Sequence, residues 1–204
     1  VEHLFNENAE YLFGLDFAVR GFTGALGAYM KPNGHLYFPY NAEYKEQNKT
    51  AKEHATEIKT LLEGIGAFTK FIGYSDPTGW RKDQQGIKNR KEMVWSIADE
   101  YLEENFPLVQ ANNEVTAGIN FVRQMFKAGK IHIDPTNEKL IEELMQYQWL
   151  EQSEKQVGDQ SEPERVRKIN DHLVDSLRYL AYSKPVAPEE EEVKTGLVFP
   201  LRFP

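Results

Sequence analysis

The chain has 204 residues, of which 40% are hydrophobic and none is cysteine, and its formal net charge is −8. This length and composition exclude a disordered chain and suit one domain with a tail, while the missing cysteines exclude disulfides, zinc–thiolate centres and cysteine nucleophiles. The negative charge speaks against a general nucleic-acid binder, which ordinarily carries a basic footprint.

Residues 11–19 are a mostly apolar run holding one acid, Asp16, and read as a buried strand. Residues 24–31 and 35–40 read as two further strands, with Pro32, Asn33 and Gly34 supplying hairpin turn chemistry. The chain therefore opens as a three-stranded meander. A helix follows over 50–63, with Ala51, Ala55, Ile58, Leu61 and Leu62 along one face and Gly64 as its stop. Residues 68–74 form a fourth strand, parallel to a neighbour because a helix precedes it, and it closes at Asp76 and Pro77.

The polar, basic stretch 79–91 reads as a loop and 92–103 as a helix. Residues 108–111 give a short strand, 115–128 an amphipathic helix ended by Gly129, 131–133 a brief strand, and 137–150 another helix. The charged segment 152–168 has no apolar pattern and reads as a mobile loop. Residues 170–182 form the last strong helix. The expected organisation is a domain over 1–184 and a tail over 185–204, which carries Glu189, Glu190, Glu191 and Glu192 and an apolar end. The fold class is α/β, with a central mixed sheet flanked by helices.

No run is long and apolar enough for a membrane helix, and the first residues lack the pattern of a signal peptide. The first residue is Val1 rather than Met, as in a processed chain or a domain cut from something longer. The lack of cysteine fits a cytosolic protein.

Three separated segments each offer an acid. Asp16 lies within the first strand, where a buried carboxylate needs a partner or a metal. Asp76 follows the fourth strand, at the end where open α/β sheets place their sites, although an Asp-Pro-Thr-Gly turn accounts for it as well. Asp171, His172 and Asp175 share one side of the last helix at i, i+3 and i, i+4 spacing. A helix N-cap explains Asp171, but explains Asp175 poorly. Such a set suits a two-metal nuclease, whose ions sit about 4 Å apart and assist in-line displacement at phosphorus. Asp16, fixed by its strand, suits the bridging position. Oxygen and imidazole ligands favour Mg²⁺ or Mn²⁺. Arg81, Lys82, Lys88, Arg90 and Lys91 form a basic cluster that can hold a phosphate backbone. No G-x-x-x-x-G-K-S/T, H-E-x-x-H or G-x-S-x-G occurs. His3, His35 and His54 read as surface residues.

Residues 170–179, Asn-Asp-His-Leu-Val-Asp-Ser-Leu-Arg-Tyr, resemble the closing D-H-x-x-D-A/S-L-R-Y motif of phage terminase large subunits. Gly14-Leu15-Asp16-Phe17 resembles the first nuclease strand of that family. Gly118-Ile119-Asn120-Phe121-Val122-Arg123 resembles its G-I-N-x-V-R helix, and the stretch 128–135 followed by a helix ending in Tyr147-Gln148-Trp149 is also similar. The matches run in the family's order from about residue 11 to 182. The resemblance implies a ribonuclease H-like, RuvC-related nuclease domain that cuts concatemeric viral double-stranded DNA with little sequence preference. It implies that Asp16, Asp76 and Asp175 bind metal and that His172 and Asp171 flank the second ion or orient water. It also implies a portal protein and a small terminase subunit as partners, and the host cytoplasm as the place of action. The family's ATPase half has no counterpart in this sequence. A RuvC-like or ribonuclease H-like enzyme for branched DNA or hybrids, and a docking module without catalysis, are the competing readings.

Overall fold

The computed structural model describes residues 9–17, 22–65, 71–80, 96–106, 108–147 and 171–184. They form a seven-stranded mixed sheet with helices on both faces. The opening meander is present. Strand β1 (Glu10–Asp16) runs antiparallel to β2 (Phe22–Met30), which turns into β3 (Leu36–Phe38). Gly34 takes the positive φ of 77° that the turn requires.

A strand not expected from the sequence follows. The residues of β4 (Glu43–Gln47) pair antiparallel with the first half of β2, beside the stretch that β3 occupies. Its sequence, Glu-Tyr-Lys-Glu-Gln, buries Tyr44 alone and so lacks the apolar alternation that marks a half-buried strand. Asn41 and Asn48, both at positive φ, bracket it.

Helix α1 (Ala51–Gly64) starts at a capping box of Thr50 and Glu53. Gly64 does not stop it in a left-handed conformation; the helix includes that residue and Ile65 takes the C-cap position. Strand β5 (Phe71–Ser75) is parallel to β1 and to β6 (Leu108–Gln110), as its preceding helix demanded. A 3-10 turn (Pro77–Trp80) and α2 (Ile97–Glu103) lie between those two strands in sequence. Helix α3 (Val115–Lys127) ends at Gly129 with φ 65°. Strand β7 (Ile131–Ile133) pairs parallel with β3, and α4 (Glu138–Gln146) and α5 (His172–Ser183) are the remaining helices among the described residues.

The two faces of β1 divide the core. Phe13 packs edge-on against Phe71 and Phe106, and Phe17 against Tyr101, on the side of α2. Gly14 and Asp16 point the other way, toward α5. The helix lies so close that a Cβ on Gly14 would fall 1.9 Å from the Ser176 carbonyl oxygen, and one on Gly24 2.9 Å from His172. Two glycines on adjacent strands thus let α5 sit directly on the backbone of the central strands. His54, expected at the surface, is instead buried beneath the Tyr44 hydroxyl at 2.6 Å. No described helix is long and apolar enough to cross a membrane. The basic cluster Arg81, Lys82, Lys88, Arg90 and Lys91, the loop 152–168 and the tail 185–204 lie outside the described residues.

Candidate active site

Asp16 is the last residue of β1, opposite Gly24 of β2. Asp76 stands beside it because β1 and β5 run parallel and end together; its amide donates to the Leu15 carbonyl at 3.1 Å. Asp175 comes from above, on the first turn of α5. Three acids far apart in sequence therefore meet at one end of the sheet.

Their charges register on Asp16. Its carboxyl is raised from 3.8 to about 6: burial raises it most, the hydrogen bond from His172 lowers it, and Asp175 and then Asp76 add to the rise. His172 Nδ1 lies 2.9 Å from Asp16 Oδ2. That bond holds the imidazole above its usual range against the opposing effect of burial.

The other two acids hold partners within the fold. Asp76 Oδ1 accepts the Thr78 amide at 2.8 Å, so the Asp-Pro-Thr-Gly turn expected from the sequence is made by the same carboxylate that borders Asp16. Asp175 Oδ1 accepts from Arg178 Nε at 3.1 Å, and the far end of that guanidinium reaches Asn113 Oδ1 at 3.3 Å. Arg178 is 2% exposed, and α3 admits it because Gly118 leaves room: a Cβ there would fall 2.9 Å from its Cγ. Gly118 and Arg178, drawn from two separate sequence motifs, are thus one packing contact.

Asp171 occupies the N-cap position of α5, as expected, but its side chain makes no capping hydrogen bond. It is nearly buried, and its charge helps to raise His172. Tyr179 was not foreseen. It is buried under the Arg178 guanidinium at 4.5 Å, and its hydroxyl is pushed up first by burial and then by Asp175, Asp76 and Asp16. Its place in the Leu-Arg-Tyr run was the available signal, but an aromatic on an amphipathic helix reads first as core.

The donor chemistry fits a hard divalent cation: a buried carboxylate that is costly to ionise, two further carboxylates close enough to repel it, and an imidazole. The side chains as they stand are engaged with one another and with Thr78 and Arg178. Among the described residues, no three carboxylate or imidazole groups are gathered tightly enough to grip one ion.

No family model matches the sequence. The terminase large subunit of Escherichia phage T5 is 24% identical over 185 residues, covering 90% of this chain and 38% of that protein. This chain thus spans well under half the length of that relative. Among solved structures, the large terminase of a thermophilic bacteriophage superposes with a TM-score of 0.66 at 19% identity, over 88% of this chain and 41% of that one. The P22 large terminase nuclease domain superposes with a TM-score of 0.60 at 18% identity, over 85% of this chain and 80% of that one. The sequence is similar to that of terminase large subunits, and the fold is the ribonuclease H-like fold of their nuclease domain.

Proposed function

We propose that this chain is a divalent-metal-dependent endonuclease that cuts viral double-stranded DNA during genome packaging. The observation that carries the reading is the convergence of Asp16, Asp76 and Asp175 at one sheet end, where Asp16 is largely buried and its acidity suppressed. Similarity to terminases in sequence and fold supports the same reading.

Asp16, Asp76 and Asp175 would hold Mg²⁺ or Mn²⁺, with Asp171 beside them. Bound there, the ions supply an activated water and neutralise charge developing on the phosphate. The protein's own part is positional. Strand β1 fixes Asp16, and His172 donates to it and sets the direction of its carboxylate. Arg178 holds Asp175 until a stronger cation competes for it. Arg81, Lys82, Lys88, Arg90 and Lys91 would contact phosphates and leave base sequence unread. A portal protein, a small terminase subunit and the ATPase domain of the same large subunit are the proposed companions, and the host cytoplasm the proposed setting.

The test is cleavage of supercoiled plasmid with Mg²⁺ or Mn²⁺, beside Asp16→Ala, Asp76→Ala and Asp175→Ala. Nicking and linearisation by wild type, lost in all three variants, is the expected result. Preference for branched DNA or for an RNA–DNA hybrid would move the assignment to a resolvase-like or ribonuclease H-like enzyme. Absence of cleavage with either metal would overturn the nuclease reading for this chain.

A further inference from the structure

The first turn of α5 carries His172 and Asp175, yet its own N-cap residue leaves the leading amides uncapped. Those amides go elsewhere. Leu173 N–H and Val174 N–H, the second and third of the helix, both donate to Glu143 Oε2 on α4, at 2.7 and 3.1 Å. This is the work of an N-cap side chain done by a residue about thirty positions earlier, and it sets a negative charge at the positive end of the helix. The other oxygen of Glu143 receives Lys45 Nζ at 2.6 Å, in a pair that is 3% exposed on the glutamate side and 12% on the lysine side.

The arrangement repeats one level down. Helix α4 also lacks a side-chain cap from its own N-cap residue, Asn137. Its second and third amides, Lys139 N–H and Leu140 N–H, donate to Glu43 of β4 at 3.1 and 2.8 Å. Glu43 and Lys45 are two apart on β4 and so share a face. Lys45 is in register with Gly24 of β2, and Gly24 with Asp16 of β1. One row across the sheet therefore contains Asp16 at one end and, at the other, the lysine that anchors the cap of α5.

We infer that Glu143 is a positioning residue for the nuclease reaction: it caps α5 from outside the helix and fixes His172 and Asp175 over Asp16, braced by Lys45. The inference rests on the nuclease reading above for its catalytic consequence, but not for the capping itself. Burial alone would not require Glu143 to be a carboxylate, whereas the paired amides and the lysine together do.

The experiment uses the full chain and four variants: Glu143→Ala, Glu143→Gln, Lys45→Met, and the double variant Glu143→Gln with Lys45→Met. Ile58→Val in α1, on the far side of the sheet, serves as the comparison for stability loss alone. Amide hydrogen exchange at Leu173 and Val174 and plasmid-nicking kinetics with Mn²⁺ are the readouts. Glu143→Ala is expected to speed exchange at both amides and to lower kcat by about 10-fold or more, with KM little changed. Glu143→Gln turns an amide NH₂ toward Lys45 and so remains impaired. The double variant removes that clash, keeps an oxygen for both amides and recovers activity to within about 3-fold of wild type. Unchanged exchange at both amides in Glu143→Ala overturns the inference, whether or not wild type cuts DNA. If wild type cuts, a kcat loss no greater than that of Ile58→Val, or no recovery in the double variant, overturns it as well. Accelerated exchange in a chain that never nicks DNA overturns the catalytic role, and then the nuclease reading is what has failed.

Discussion

His172 and Asp16 stand 156 positions apart in the chain and meet at 2.9 Å, imidazole Nδ1 to carboxylate Oδ2. The bond joins the first described strand to the last described helix, and it is the largest influence lowering the pKa that burial raises on Asp16. Removing it leaves burial unopposed. The expected outcome for His172→Phe is an acid limb of the kcat/KM profile displaced to higher pH than the wild-type limb, which should lie near 6 at low metal concentration. The measurement is nicking rate against pH at fixed, subsaturating Mn²⁺; an unmoved limb would show that Asp16 ionisation does not govern the reaction.

Asp16 also makes stability depend on pH. The folded chain keeps this proton up to about 6, while the unfolded chain releases it near 3.8. The folded state therefore binds more protons across that window, so the stability due to this group is present below it and lost as pH rises through it. The gap corresponds to about 3 kcal/mol. Without metal, Asp16→Asn should exceed wild type in urea-denaturation stability at neutral pH by up to that amount, and should lose the advantage on acidification. Mn²⁺ should stabilise wild type and leave the variant unmoved.

Arg178 is the buried countercharge of Asp175. Arg178→Met takes that buried countercharge away and should cost about 3–5 kcal/mol. Adding Asp175→Asn should restore much of the stability, because the charge that Arg178 balanced is gone, while plasmid cleavage stays absent. Thermal melts and cleavage of the single and double variants give the comparison. Arg178→Lys should not substitute, since an ammonium cannot reach Asp175 and Asn113 together.

Gly14→Ala should lift α5 from the sheet, because the added methyl meets the Ser176 backbone rather than a side chain that can turn away. A loss of about 3 kcal/mol is expected, with cleavage falling further than stability alone explains. A variant that retained wild-type stability would mean that α5 does not sit on β1 as described.

The basic cluster gives a prediction from sequence alone. Alanine at Arg81, Lys82, Lys88, Arg90 and Lys91 should weaken binding alike for all DNA sequences and flatten its dependence on salt. Wild-type affinity that did not fall with salt would remove the phosphate-contact role from these residues.

Much of this architecture is written in local pattern. The apolar run around Asp16, the Pro-Asn-Gly turn, and the helix holding Asp171, His172 and Asp175 were legible because burial and turn chemistry leave traces within a few residues. What escaped notice was long-range and polar. Strand β4 hides because only Tyr44 of its five residues is buried, and its pairing is declared by β2 rather than by itself. Glu143 reads as one acid among several on a charged helix, and nothing nearby announces Lys45, 98 residues earlier. Asp171 shows the opposite error. Its residue type and position promise a cap, but the competing carboxylate of Glu143 already occupies the amides.

The placement of α5 has a consequence for the life of the chain before it is complete. Asp16 is synthesised before Asp175, and the sheet that bears the first can pair before the helix that bears the second exists. Until α5 docks, Asp16 remains in water at its ordinary acidity, with neither the penalty of burial nor the company of Asp175. Contacts of such long sequence separation form late. On the nuclease reading proposed above, a nascent chain would be silent as a cutter: Asp16 and Asp175 come together only when α5 seats on Gly14 and Gly24.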